Sequence, residues 1–204
     1  MSMWSGPGPL LTLAIAVVFA KTLVLDLDET LVHADTQLCR QAEFAVGPYG
    51  VLRRPGVEDF LDFALTHFER VGIWTASTLS YALPVLDHIV DRRRLAFVWG
   101  RERCTYVWGR SRYDERSASE VENAYVKDLR KLTRRGGLRK EQVLFVDDTP
   151  AKLVRSYGNL IAVRPFEGDP DDRELTLLQR YLPIIGAVAN VRTIEKRRWR
   201  EQVG

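Results

Sequence analysis

Three apolar runs in this chain end on polar side chains: Leu25-Asp26-Leu27-Asp28, Trp74-Thr75-Ala76-Ser77 and Val146-Asp147-Asp148-Thr149. Asp26 and Asp28, two residues apart, lie on the same side of an extended chain. Just past a strand end, as the backbone turns, both can face one small space. Asp147 and Asp148 add two more carboxylates, and such a concentration of negative charge is costly without a cation. Magnesium meets that need, because it prefers oxygen ligands, takes one or two carboxylates, keeps waters and bridges to phosphate. Aspartates in solvated loops are common singly; four at the ends of buried strands are not. The expectation is a Mg2+ site built from Asp26, Asp28, Asp147 and Asp148.

Residues so distant in sequence need a scaffold that gathers them. Thr22 to Leu27, Val71 to Trp74, Gln142 to Val146 and Leu160 to Val163 are near-continuously apolar, as expected of strands covered on both faces in a parallel sheet. Helical patterns alternate with them. From Val57 to Arg70 the residues Val57, Phe60, Leu61, Ala64, Leu65 and Phe68 follow the spacing of one buried stripe, after a Pro55-Gly56 start. Leu79 to Val90, Tyr125 to Leu132, Pro150 to Tyr157 and Arg173 to Tyr181 are further helices by the same reading. Strand alternating with helix predicts an α/β fold, a doubly wound, mostly parallel central sheet flanked by helices. In such sheets ligands bind beyond the carboxyl ends of the strands, where the polar residues fall.

One stretch breaks the alternation. Between residues 97 and 120 there is no helical period, and a short repeat occurs: Val98-Trp99-Gly100-Arg101, then Val107-Trp108-Gly109-Arg110. It reads as a small β insertion after the second core strand. Either it covers one end of the sheet or it forms a recognition lip, with Trp99, Arg101, Trp108 and Arg110 suited to a phosphorylated peptide.

The ordered motifs carry a resemblance. Asp26-Leu27-Asp28-Glu29-Thr30-Leu31-Val32-His33 resembles the signature of the haloacid dehalogenase superfamily. More narrowly, the chain is similar to the phosphatases of the RNA polymerase II C-terminal domain and their small, NLI-interacting-factor-like relatives. The similarity continues through Leu52-Arg53-Arg54-Pro55-Gly56-Val57, Trp74-Thr75-Ala76-Ser77, Tyr125-Val126-Lys127-Asp128-Leu129 and Val146-Asp147-Asp148-Thr149-Pro150. It implies that Asp26 is a nucleophile forming an aspartyl-phosphate and that Asp28 is a general acid and base. The backbone carbonyl of Asp28 would help hold the metal. Thr75 would bind the phosphoryl oxygens, Lys127 would neutralise charge, and Asp147 and Asp148 would hold Mg2+. Small members of the family often carry Asp-Asn where this chain has Asp147-Asp148.

The rest of the chain sets bounds. Its 204 residues allow one substantial core, and 46% hydrophobic with 28% charged residues is the profile of a globular enzyme. A net charge of +3 is too weak to imply direct nucleic-acid binding and suits an anionic substrate. Residues 1–20 form an apolar extension; Val18-Phe19-Ala20 resembles a cleavage site, but Met1 to Pro9 lacks the positive charge of a signal peptide. Residues 21–190 form the domain, and 191–204 a basic tail containing Lys196, Arg197, Arg198 and Arg200. Cys39 and Cys104 make no disulfide framework. An intracellular setting, cytoplasmic or nuclear, follows, with a membrane-anchored or organellar one as the alternative. The leading reading is a phosphatase for phosphoserine or phosphothreonine in a protein or peptide. A small-metabolite phosphatase is the competing enzyme, and a catalytically silent peptide-binding relative of the mitochondrial import subunit is the reading from another class.

Overall fold

The computed structural model describes residues 18–38, 41–108 and 123–204. Most of the apolar N-terminal run, Cys39, Arg110 and the second half of the expected insertion lie outside them. The chain opens on strand β1 (Phe19–Leu25). Three short strands follow, β2 (Val32–Asp35), β3 (Phe44–Val46) and β4 (Tyr49–Arg53), forming an antiparallel sheet of order β2-β4-β3. Helix α1 (Val57–His67) starts after Gly56, whose φ of 77° suits only glycine comfortably. Glu58 and Asp59 in its first turn complement the helix dipole, and Val57, Phe60, Leu61 and Ala64 are its buried stripe.

Then come β5 (Phe68–Trp74), α2 (Leu79–Asp87), β6 (Phe97–Trp99), β7 (Thr105–Trp108) and β8 (Asn123–Val126). Helix α3 (Arg130–Gly136), strands β9 (Val143–Asp147) and β10 (Leu160–Ala162), and helix α4 (Glu174–Gly186) complete the regular elements. The central sheet has the order β10-β9-β1-β5-β6, with every neighbouring pair parallel. Hydrophobic packing covers both faces. Leu23 and Leu25 of β1 join the cluster of α1, α2 and α4, while Val24 between them joins Trp74, Leu132 and Phe145 on the other side. That two-sided burial explains the unbroken apolar run of β1. Leu25 pairs with Ile73 on one side and Val146 on the other, so the strands end level and their next residues share one rim.

The structure departs from the expected layout in five places. Phe97–Trp99 is not part of an insertion: it is β6, the edge of the central sheet, with Gly72 opposite Phe97 in register. Gly72 permits this because a Cβ there would stand 2.4 Å from the Phe97 ring. Trp99 and Trp108 therefore lie on different sheets, and the hairpin partner of β7 is β8. Tyr125 belongs to β8 rather than to a helix, since pairing with β7 overrides the local helical pattern, and α3 begins only at Arg130. Residues 32–53 make the antiparallel sheet, whose strands of three to five residues are too short to show a period. The basic C-terminal segment is no solvated tail. Trp199 is buried and donates through Nε1 to the Ala162 carbonyl at 2.9 Å, and Lys196 is buried with its Nζ donating to Val191 and Ile194 carbonyls. Pro150 to Tyr157, expected as a helix, forms short 3-10 turns. Among the described residues no helix is long and apolar enough to cross a membrane.

Candidate active site

Asp26 is the first residue beyond β1, and its amide donates to the Val146 carbonyl at 2.9 Å, extending the ladder by one bond. The chain then turns sharply. The amides of Leu31 and Val32 both donate to the Leu27 carbonyl, and Glu29 takes a φ of 57°, the one positive value for a non-glycine residue among those described. Such a backbone costs of order 1 kcal/mol and persists only where neighbours hold it. Here Phe166 donates its amide to the Glu29 carbonyl, and the Glu29 carboxylate pairs with His33 Nδ1 at 2.8 Å. Beneath the turn the fully buried Arg54 donates to the Thr30 and Arg164 carbonyls and binds Asp172 through two bonds of 2.8 and 2.7 Å. The loop bearing the aspartates is thus anchored from below.

Two groups of side chains stand on this rim. In the first, Lys127 Nζ lies 2.8 Å from Asp26 Oδ1 and 2.6 Å from Asp147 Oδ2. Lys152 Nζ donates to the other Asp26 oxygen, Oδ2, at 3.0 Å. The two lysines are fixed together, because the Lys127 amide donates to the Lys152 carbonyl at 2.7 Å. Burial alone would raise the Asp26 carboxyl, but Lys127, Lys152 and the Leu27 amide hold it below the usual carboxylate range. Burial, and after it the charge of Asp26, push Asp147 up to about 7 against the pull of the lysines. Burial disfavours the charge on both lysines, yet the surrounding carboxylates keep each above the ordinary lysine value.

Carboxylate oxygens of Asp26, Asp147 and Asp148 gather within 4.8 Å of one another. Asp148 Oδ2 accepts from the Thr149 hydroxyl, while its buried Oδ1 accepts no hydrogen bond. A crowded all-oxygen set with a raised carboxyl and an orphaned acceptor fits a hard divalent cation such as Mg2+.

The second group surrounds Asp28. Its Oδ2 accepts from the hydroxyls of Thr75 at 3.1 Å and Ser77 at 2.7 Å, and its Oδ1 from Tyr81 at 2.8 Å. The Asp28 side chain is therefore turned away from the carboxylate cluster. Of the four aspartates expected at the metal, Asp26, Asp147 and Asp148 bring carboxylate oxygens together, while the Asp28 carboxylate accepts from hydroxyls. The Thr75 hydroxyl likewise serves Asp28, and accepts from the Ser77 amide at 3.0 Å.

The expected lip residues scatter. Trp99 packs edge-on to buried Trp74, with ring centroids 5.0 Å apart, and its carbonyl receives the Thr75 amide, so it supports the site from within the sheet. Arg101 is exposed, donates through Nε to the Ala76 carbonyl and lies over the Tyr125 ring. Trp108 ends β7, and Arg110 lies outside the described residues. Sequence reasoning gave no role to Lys152, Ser77 or Tyr81. The available signal for Lys152 was its i, i+4 spacing from Asp148.

Comparison with known proteins places the chain in a family. The model of the family described as NLI interacting factor-like phosphatase matches residues 21–192. The "Probable C-terminal domain small phosphatase" of Dictyostelium discoideum is 34% identical over 182 residues, covering 85% of this chain and 53% of that protein. The human "CTD small phosphatase-like protein" is 34% identical over 163 residues, 76% of this chain and 52% of its own length. The chain spans about half the length of the curated relatives it matches. Among solved structures, that of Fcp1, an essential RNA polymerase II CTD phosphatase, superposes with a TM-score of 0.56 at 20% identity, covering 82% of this chain and 62% of that one. At that identity the likeness is one of fold.

Proposed function

The chain belongs to the NLI interacting factor-like phosphatase family, and from that premise we propose that it is a magnesium-dependent phosphomonoester hydrolase with Asp26 as nucleophile, acting on phosphoserine or phosphothreonine in a protein or peptide. The observation that carries the reading is the contrast between two aspartates two residues apart. Asp26 is enclosed and held ionised by two lysines, and Asp28 is held by three hydroxyls. An ionised carboxylate is a nucleophile, and a positioned one with hydroxyl partners can take and return a proton.

In the first half-reaction Asp26 attacks phosphorus as the ester P–O bond breaks, and protonated Asp28 gives its proton to the departing serine or threonine oxygen. In the second, Asp28 takes a proton from the water that attacks the aspartyl-phosphate. The bond to Asp26 breaks, inorganic phosphate leaves, and Asp28 is again an acid. Hydroxyls donate to a carboxylate and accept from a carboxylic acid, so Thr75, Ser77 and Tyr81 hold Asp28 through both halves. Lys127 supplies a fixed positive charge where the phosphoryl oxygens gain negative charge. Magnesium, held by Asp26, Asp147, Asp148 and the Asp28 backbone carbonyl, would neutralise and orient the transferring group.

Support for a protein substrate comes from the rim itself. Among the described residues no separate domain covers it, and exposed Tyr49 of β4 packs edge-on to Tyr81 beside Asp28. An exposed aromatic side chain on the rim suits contact with an extended chain. An intracellular setting, cytoplasmic or nuclear, belongs to the same proposal, supported by Cys104 being a free thiol.

The wild-type chain is expected to hydrolyse p-nitrophenyl phosphate with Mg2+ and to stop with EDTA. Asp26→Asn should lose at least about a thousandfold in kcat while melting cooperatively. An active Asp26→Asn variant would remove Asp26 from the mechanism. A panel of phosphopeptides and phosphorylated metabolites tests the substrate class; kcat/KM several hundredfold higher for one metabolite would defeat the protein-phosphatase reading.

A further inference from the structure

Lys152 Nζ lies 3.0 Å from Asp26 Oδ2 and 3.8 Å from Asp148 Oδ1. These belong to two of the three carboxylates that gather as a cation site. The longer distance is beyond a hydrogen bond, so the ammonium neutralises Asp148 without satisfying its orphaned Oδ1. The two lysines of the site are not equivalent. Lys127, 1% exposed, is enclosed between Asp26 and Asp147. Lys152 is 24% exposed and stands on the short Pro150–Leu153 turn, where its four-carbon stem can swing toward solvent.

A divalent cation drawn to Asp26 and Asp148 meets a positive charge already seated there. We propose that Lys152 is a resident counter-ion, which competes with the divalent metal for Asp26 and Asp148 and swings out as the metal enters. It thereby sets the metal concentration at which the site is loaded. The lysine is seated by its 3.0 Å bond to Asp26, and the charge of Asp148 beside it adds to the attraction. The inference rests on the metal-dependent reading above.

The test is direct Mn2+ binding to the full chain without substrate, read from the electron paramagnetic resonance of the free ion. Lys152→Met is expected to bind Mn2+ about tenfold more tightly than wild type, and Lys152→Arg within about twofold of it. With EDTA, Lys152→Met should melt below wild type, and Mn2+ should raise its melting temperature by more. Equal or weaker Mn2+ binding by a folded Lys152→Met chain overturns the inference. A second measurement needs no variant: amine labelling of the wild-type chain, followed by mass spectrometry, should modify Lys152 faster with saturating Mn2+. Unchanged or slower labelling also overturns it. Wild-type protein that binds no Mn2+ at millimolar concentration removes the metal-dependent reading itself, a result distinct from either of these.

Discussion

Tyr81 reaches the site from a helix whose buried residues are apolar, and its hydroxyl donates to Asp28 Oδ1 at 2.8 Å. Burial, followed by the charge of Asp28, pushes its pKa well above the ordinary tyrosine value, so it stays a donor at any working pH. Tyr81→Phe keeps the ring against Tyr49 and removes one of three bonds that orient Asp28, the proposed general acid. A loss of about tenfold in kcat with KM nearly unchanged is expected, because misorientation penalises the transition state rather than binding. Steady-state kinetics on p-nitrophenyl phosphate checks it, and a variant with full kcat would show that Thr75 and Ser77 suffice. The residue scale also shows what could be read in advance. Asp26, Asp28, Thr75, Asp147 and Asp148 were legible because each ends an apolar run, and Lys127 through the motif around it. Tyr81 and Lys152 were not: an aromatic in an amphipathic helix reads as core, and a lysine four residues from an aspartate reads as a surface pair.

At the scale of elements, the sheet order depends on close approach at one point. Gly72 leaves room for the Phe97 ring, and this seats β6 beside β5, from which Trp99 receives the Thr75 amide. Gly72→Ala forces the ring to move and is expected to cost about 2 kcal/mol in urea unfolding. Phe97→Leu on that background should recover part of the loss, because the clash is with the ring. Additive effects would place the damage elsewhere. The long strands β1, β5 and β9 were legible from sequence, being apolar on both faces. Strand β6 was not, for three residues carry no period and its partner is set by tertiary contact. The Trp-Gly-Arg repeat drew attention to a likeness between segments that the fold separates into two sheets.

Across the whole molecule, the Arg54–Asp172 pair joins the loops after β1, β4 and β10. Burial would raise the Asp172 carboxyl, but Arg54 and the Glu174 amide hold it below the ordinary value of 3.8. A depressed folded value means that this stability is fully present above 3.8 and lost as pH falls through the folded value. Asp172→Asn leaves the fully buried Arg54 without its counter-charge, and should cost about 3 kcal/mol at neutral pH. The gap from wild type in urea titrations should narrow as the solution is acidified below 3.8; a gap that persists undiminished in strong acid would show that the pair acts by shape alone. The C-terminal segment has a different consequence. Among the described strands β10 has β9 alone beside it, and Trp199 and Arg200 both donate to the Ala162 carbonyl of β10. Open strand edges recruit strands from other chains. These two side chains therefore act as a guard against self-association: a chain cut after Asn190 should form soluble aggregates on storage that the intact chain does not.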